Sequence, residues 1–211
     1  MIIAVDGPSA AGKGTLARSL AARLGFAHLD SGLLYRAVGA LTALPEEDPG
    51  FAAAATEAAQ GLQPRDIERG DLRGERASHL ASRVAAIPEV REALLDFQRN
   101  FAENPPDGRP GAVLDGRDIG TVVCPGADVK IFVTASAEER ARRRHKELLE
   151  RGEESIYARV LQDMKVRDAR DSERRVSPLR AAEDAIVLDT TELDGEAALK
   201  AALEIVAAQQ G

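Results

Sequence analysis

The chain is short of several things, and each shortage narrows what it does. It has a single cysteine, Cys124, in 211 residues. No internal disulfide is possible, and a reducing, cytoplasmic setting is the expectation. Cys124 stands in the apolar run VVCPG before a turn and reads as buried filler, not a nucleophile. The three histidines, His28, His79 and His145, are scattered and show no metal-ligand spacing. No apolar run approaches the roughly 20 residues of a membrane span. The first residues lack a basic region and a cleavage site, so MIIAVDG reads as a strand, not a leader. Lysine is scarce: five of the 28 basic residues are Lys and the rest are Arg. The net charge of −7 argues against a general binder of nucleic acids or membrane surfaces. Arginine, by contrast, offers a planar fork that suits phosphate, so where the Arg residues cluster matters more than their number.

What is present is enough apolar residue, 44%, to build a real core in one domain or one domain with an insertion. Four short runs rich in Val, Ile and Leu read as buried parallel strands: IIAVD (2–6), AVLDG (112–116), VKIFVTA (129–135) and AIVLDT (185–190). FAHLD (26–30) is a weaker fifth. Helical patterns lie between them. Leu16, Leu20 and Leu24 recur every four residues after Lys13. SAEERARRRHKELLE (136–150) opens with Ser136 and has Glu139 three places on, a capping-box arrangement. Strand alternating with helix predicts an α/β fold with a parallel five-stranded sheet. The stretch 45–110 breaks the alternation. It is bounded by the turn-rich PEEDPG and ENPPDGRPG and reads as helical, with no buried strand. The expected organisation is therefore a core of 1–44 and 111–211, with 45–110 as an insert.

The stretch GPSAAGKG fits G-x-x-x-x-G-K, the phosphate-binding P-loop, in the context that motif requires: a strand ends at Asp6 and a helix starts near Lys13. The expected triphosphate cradle is Gly7, Pro8, Ser9, Ala10, Ala11, Gly12, Lys13 and Gly14. Backbone N–H groups approach phosphate oxygens there, and the helix end adds partial positive charge. Gly14 stands where Ser or Thr is usual, so Thr15 is the nearest hydroxyl for a Mg2+ ion or a phosphate. A P-loop fixes a nucleoside triphosphate but not the second substrate. Arg117 and Asp118 follow the strand AVLDG at once, where ligands of open α/β sheets bind. Ser31, Tyr35 and Arg36 open a helix after another strand. Ser31 and Arg36 suit an anion there, and Ser31 also suits a plain N-cap. In RDARDSERR, Arg167, Asp171 and Arg174 fall at i, i+4 and i+7, two guanidinium forks and one acceptor on one helix face. Arg140, Arg143 and Arg144 form a basic patch early in the helix 136–150.

The segments LDSGLLYR (29–36), SRVAAIPEVREALLDFQR (82–99), LDGRDIGTVVCPGADVKIFVTAS (114–136), RDARDSERRVSPL (167–179) and AIVLDTTEL (185–193) together resemble bacterial cytidylate kinases, nucleoside monophosphate kinases of the P-loop class. The resemblance runs in order from Ile2 to about Leu193. It implies phosphoryl transfer from ATP to CMP or dCMP, with a lid near 140–156 closing over the triphosphate. It also implies roles. Ser31, Arg36, Arg117 and Arg174 would hold the acceptor phosphate beside Tyr35. Ser82, Arg91 and Asp118 would read the cytosine edge. Arg167 and Asp171 would take the ribose. Lys13, Arg117, Arg174 and Arg143 would spread the charge of the moving phosphoryl group, with Arg140 and Arg144 on ATP and Mg2+ bridging the donor phosphates, Thr15 being its one protein contact. The expected partners are these small molecules alone, the protein acting as a monomer. The segment QGLQPRDIERGDLRG replaces the strand pair that family members often carry, so the small sheet of the insert is expected to be reduced or absent. A P-loop kinase for UMP or another small acceptor, or a nucleotide-driven switch, stays open at this point.

Overall fold

The computed structural model describes residues 1–209. In chain order the elements are β1 (Ile2–Asp6), α1 (Lys13–Leu24), β2 (Ala27–Asp30), α2 (Ser31–Leu41), α3 (Phe51–Gln60), α4 (Pro64–Ile67), α5 (Glu75–Val84), α6 (Pro88–Glu103), β3 (Ala112–Gly116), β4 (Val129–Thr134), α7 (Ala137–Glu150), α8 (Tyr157–Glu173), β5 (Ile186–Asp189) and α9 (Gly195–Ala208). The five strands form one sheet in the order β2-β3-β1-β4-β5. β1 runs parallel to β3 and to β4, with Ile3 opposite Val113 on one side and Val129 on the other. β4 runs parallel to β5, with Phe132 opposite Val187. All five predicted strands are present, the weaker fifth included; β5, expected to be buried, is instead an edge strand in which only Leu188 is buried and Val187 is 59% exposed. The first strand is central, so the chain leaves the middle of the sheet at Asp6, where such folds bind ligands.

The chain divides into two compact units, one of residues Met1–His28 with Ala102–Gly211 and one of Leu29–Phe101. Against the expected insert of 45–110, the second unit takes in α2 at its start and leaves 102–110 to the first. In the first unit the apolar stripe of α1 meets the sheet. Leu16 and Leu20 are buried with Ile3, Val5, Val113, Ile131 and Val133, and α9 adds Ala202 and Val206. Burying one such side chain contributes roughly 1.5–3 kcal/mol, so this layer holds the P-loop strand and helix together. Helix α7 is capped as the sequence predicts: the Ser136 hydroxyl accepts from the Glu139 N–H at 3.2 Å. The reciprocal half of the box is missing, because the Ser136 N–H donates to the Thr191 hydroxyl and the Glu139 carboxylate pairs with arginines.

The second unit is helical, as its sequence predicts, and its part from 45 to 101 has no strand among the described residues. Phe51, Ala55 and Ala59 form the buried stripe of α3, spaced by four. Helices α2 and α5 pack closely, and the reason is Gly39. A Cβ there would lie 2.7 Å from Leu80 Cβ. Only a residue without a side chain admits that approach.

Candidate active site

The phosphate loop is shaped by two glycines. Gly7 has φ +152, and a Cβ there would sit 2.0 Å from the Val133 carbonyl oxygen of β4. Gly12 has φ +86 and precedes α1 without any side-chain cap, and no acidic residue stands in the first turn. The N-terminal N–H groups of α1 therefore have no side-chain cap where a helix end favours an anion. Lys13 Nζ reaches back over the loop to the Pro8 carbonyl at 3.4 Å. Gly14 answers to no such steric demand: its nearest neighbour would be Asp115 Oδ2 at 3.6 Å, an ordinary contact. Asp115 is buried, and its other oxygen meets His28 Nε2 at 2.8 Å. Thr15 is exposed beside the loop.

The three arginines of α7 do different things. Arg140 is buried, with Nε on the Ala135 carbonyl, Nη1 on the Ser9 carbonyl at 3.3 Å, and an ion pair to Asp168 at 2.7 Å. It ties the phosphate loop to α8 and is not a solvent-facing arm. Arg144 pairs with Glu147 at 2.8 Å. Arg143 is the one at the loop: its Nη1 would lie 3.7 Å from a Cβ on Gly12. Glu139 and Thr190 hold it there, through Nε to Glu139 at 3.0 Å and Nη1 to the Thr190 hydroxyl at 3.1 Å. Thr190 is itself buried, its hydroxyl 3.0 Å from the Ala11 carbonyl of the loop. An open groove of about 700 Å3 runs from Gly12 and Thr15 past Arg143 to Thr191, Leu193 and Leu199. Its lining mixes charged and hydroxyl side chains with the apolar Leu16, Leu193 and Leu199.

On the other side of β1, the arginines meet at a carboxylate. Asp171 of α8 is buried, with its Oδ2 3.1 Å from Arg117 Nε and 3.9 Å from Arg167 Nε. Burial pushes its carboxyl up, but the guanidinium groups of Arg117, Arg167 and Arg174 outweigh this and hold it below the usual range. Arg174 is not on the helix face: α8 ends at Glu173, and Arg174 is the extended C-cap residue, its Nε on the Ser177 carbonyl at 2.5 Å. The three charges converge all the same. Asp118 is buried at the start of a π-helical turn over Ile119–Val123.

The second unit carries the remaining candidates. Ser31 is the first residue of α2 and is buried; Asp30 holds the N-cap position, so the plain capping role falls away for Ser31. Tyr35, one turn on, lies under Arg91 of α6, whose guanidinium carbon is 5.4 Å from the ring centre. Arg91 is buried and donates Nη1 to the Ala85 carbonyl at 3.3 Å, so stacking and hydrogen bond together orient its fork. Arg36 donates to the Leu72 carbonyl at 3.4 Å. Ser82 is buried on α5.

A family model for cytidylate kinase matches residues 3–208 of this chain. The chain belongs to the cytidylate kinase family. It is 60% identical over 209 residues to the cytidylate kinase of Paramagnetospirillum magneticum, covering 99% of both chains. It is 58% identical over 207 residues to that of Rhodospirillum rubrum, covering 98% of this chain and 97% of the relative. Among solved structures, an uncharacterized protein from Eubacterium ventriosum shares the fold at a TM-score of 0.55 and 15% identity, over 99% of this chain and 98% of that one. No helix among the described residues is long and apolar enough to cross a membrane.

For a cytidylate kinase, the residues that sequence reasoning passed over are Asp6, Asp115 and Thr190. Each is a polar residue ending an apolar strand run. In an open parallel sheet that position faces the ligand crevice. The signal was in the sequence, but it does not say which partner each side chain finds.

Proposed function

We infer that this chain transfers the terminal phosphoryl group of ATP to CMP or dCMP, giving ADP and CDP or dCDP. It is an ATP-dependent (d)CMP kinase of the nucleoside monophosphate class. The observation that carries this is the cytidylate kinase match across residues 3–208. An oxygen of the acceptor phosphate attacks the γ-phosphorus while the bond to the β-γ bridging oxygen breaks. That nucleophile is already anionic, so no strong general base is needed. Positioning and charge neutralisation carry the rate.

The division of labour is our proposal. The backbone of Gly7–Gly14 and the Lys13 ammonium take the donor phosphates, and the groove beside Arg143 takes the nucleoside. Arg117 and Arg174, gathered by Asp171, neutralise charge on the acceptor phosphate; the family resemblance assigns Ser31, Arg36 and Tyr35 to that phosphate as well. Arg167 lies beside Asp171, and the pair is assigned to the ribose. Arg140 acts as a brace for the loop, and Arg144, paired with Glu147, is assigned to ATP. Asp118, Arg91 and Ser82 select cytosine: a carboxylate accepts from its exocyclic amine and repels the carbonyl that uracil carries there. Thr15 and Asp115 are hard oxygen donors next to the loop, a set that suits Mg2+ held largely by water and substrate phosphates. Bound Mg2+ would supply charge neutralisation on the donor phosphates. The single cysteine supports a cytoplasmic setting.

An acceptor panel with ATP tests the reading. CMP and dCMP should exceed UMP in kcat/KM by on the order of a hundredfold or more, the margin a site built on buried polar groups achieves. UMP outpacing CMP would overturn the specificity. Rapid ATP hydrolysis with no acceptor present would point to a switch instead of a kinase.

A further inference from the structure

We propose that Asp6 is a positioning residue that clamps the acceptor-binding turn to the phosphate loop, so that one side chain sets donor and acceptor machinery in register. The proposal rests on the (d)CMP kinase reading above and deepens it.

Asp6 is the last residue of β1, one peptide bond before Gly7, and is 5% exposed. Both its carboxylate oxygens are engaged. Oδ1 accepts from the Ile119 N–H at 2.8 Å and Oδ2 from the Gly120 N–H at 2.7 Å. These two amides belong to the turn that directly follows Arg117 and Asp118. The turn is compact in itself, with the Asp118 carbonyl accepting from both Val122 and Val123. It therefore moves as a piece. Its seat is close-fitting: a Cβ on Gly120 would meet Lys130 Cδ at 3.2 Å and Asp6 Oδ2 at 3.4 Å. At the far end, Lys130 Nζ of β4 holds the Pro125 carbonyl at 2.5 Å and Asp184 at 2.7 Å. The turn is thus pinned by β1 at its Arg117–Asp118 end and by β4 at its exit.

The loop is pinned from the same residue. Gly7 lies close against β4, where a Cβ would sit 2.0 Å from the Val133 carbonyl oxygen, so the loop leaves Asp6 along a path only glycine admits. Two parallel N–H donors ask for two acceptor oxygens. A carboxylate has them; an amide has one, and its NH2 would face the second N–H. The ion is kept although burial pushes its carboxyl up to about 6, with Asp118 opposing the charge and Lys13 favouring it.

The test uses Asp6→Asn in the full chain, with folding checked by circular dichroism. KM for CMP is measured at saturating ATP, and KM for ATP at saturating CMP. The clamp predicts that CMP KM rises roughly tenfold or more, as a displaced contact does, while ATP KM stays within about twofold. Unchanged KM values, or equal rises in both, would overturn it, because loss of folded protein alone lowers kcat and moves neither KM selectively. Should Asp6→Asn fail to fold, Gly120→Ala lifts the turn from the other side with Asp6 intact and is expected to show the same selective rise; a wild-type CMP KM in that variant overturns the clamp. Wild-type enzyme run alongside separates the two readings: absence of CMP phosphorylation there defeats the functional reading, whereas an active variant with wild-type CMP KM defeats only the clamp.

Discussion

Asp171 shows how one carboxylate organises a site that arginine count alone does not. Its side chain is 6% exposed and faces Arg117 and Arg167, with Arg174 near enough to act on its charge. Without it, three guanidinium groups would repel one another, and a phosphate-binding set would splay. Asp171→Ala is expected to lower kcat/KM for CMP by about a hundredfold and to destabilise the fold by about 3–5 kcal/mol, the effect of breaking a buried pair. Steady-state kinetics and urea unfolding measure the two. Losses that differ between CMP and dCMP add a ribose contact to its role; equal losses leave it as the organiser of the arginines, and wild-type kinetics would remove it from the site. The residue types were legible in the sequence, where Arg167, Asp171 and Arg174 stand out by spacing. The convergence of Arg117 on the same carboxylate was not, because 54 residues separate the two in the chain. Arg140 teaches the converse. By spacing it groups with Arg143 and Arg144, yet it is buried, donating to the Ser9 carbonyl and paired with Asp168.

Among the elements, the α2–α5 pair is the one whose geometry depends on a single position. A Cβ at Gly39 would lie 2.7 Å from Leu80 Cβ, and it would also meet the Leu80 and Ala81 backbone at 3.2 and 3.4 Å. Two effects compete in Gly39→Ala. Alanine favours a helix interior over glycine by about 1 kcal/mol. Overpacking against backbone that cannot yield costs about 1–3 kcal/mol. The clash wins, so Gly39→Ala should lower the unfolding midpoint in urea, and a midpoint at or above wild type would refute this. Because α2 carries Ser31 and Tyr35 and α5 carries Ser82, a higher KM for CMP should accompany it. Element identity was largely legible here: the stripe Phe51, Ala55, Ala59 and the Ser136 cap both follow from local sequence. The end of α8 was not, since Arg174 leaves the helix to meet the Ser177 carbonyl, a tertiary choice that periodicity cannot see.

For the whole molecule, two buried carboxylates make stability depend on pH with opposite signs. Asp6 is raised from its ordinary 3.8 to about 6, so its contribution to stability is complete below 3.8 and is lost as pH rises through 6. Asp171 is lowered, so its contribution is present above its unfolded value and is lost as pH falls through its folded one. Asp6→Asn removes the first of these alone. The difference in unfolding free energy between wild type and Asp6→Asn should therefore shift against wild type by on the order of 2 to 3 kcal/mol between pH 4 and pH 7.5. Parallel stability curves across that range would show that Asp6 does not titrate as its burial dictates.

The sequence by itself determined the fold class, the five strands and the phosphate loop, and its resemblance to cytidylate kinases supplied the kind of second substrate. The first three rest on short-range regularities: apolar runs of strand length and a glycine-lysine loop between strand and helix. Tertiary structure alone decided which charges share a partner. It put Arg117 on Asp171, Arg140 under Ser9, Arg143 on Thr190 and the 119–120 amides on Asp6. The physical reason is that a buried charge or amide must find a complement wherever the packed layers bring one, and the layers join residues more than a hundred positions apart.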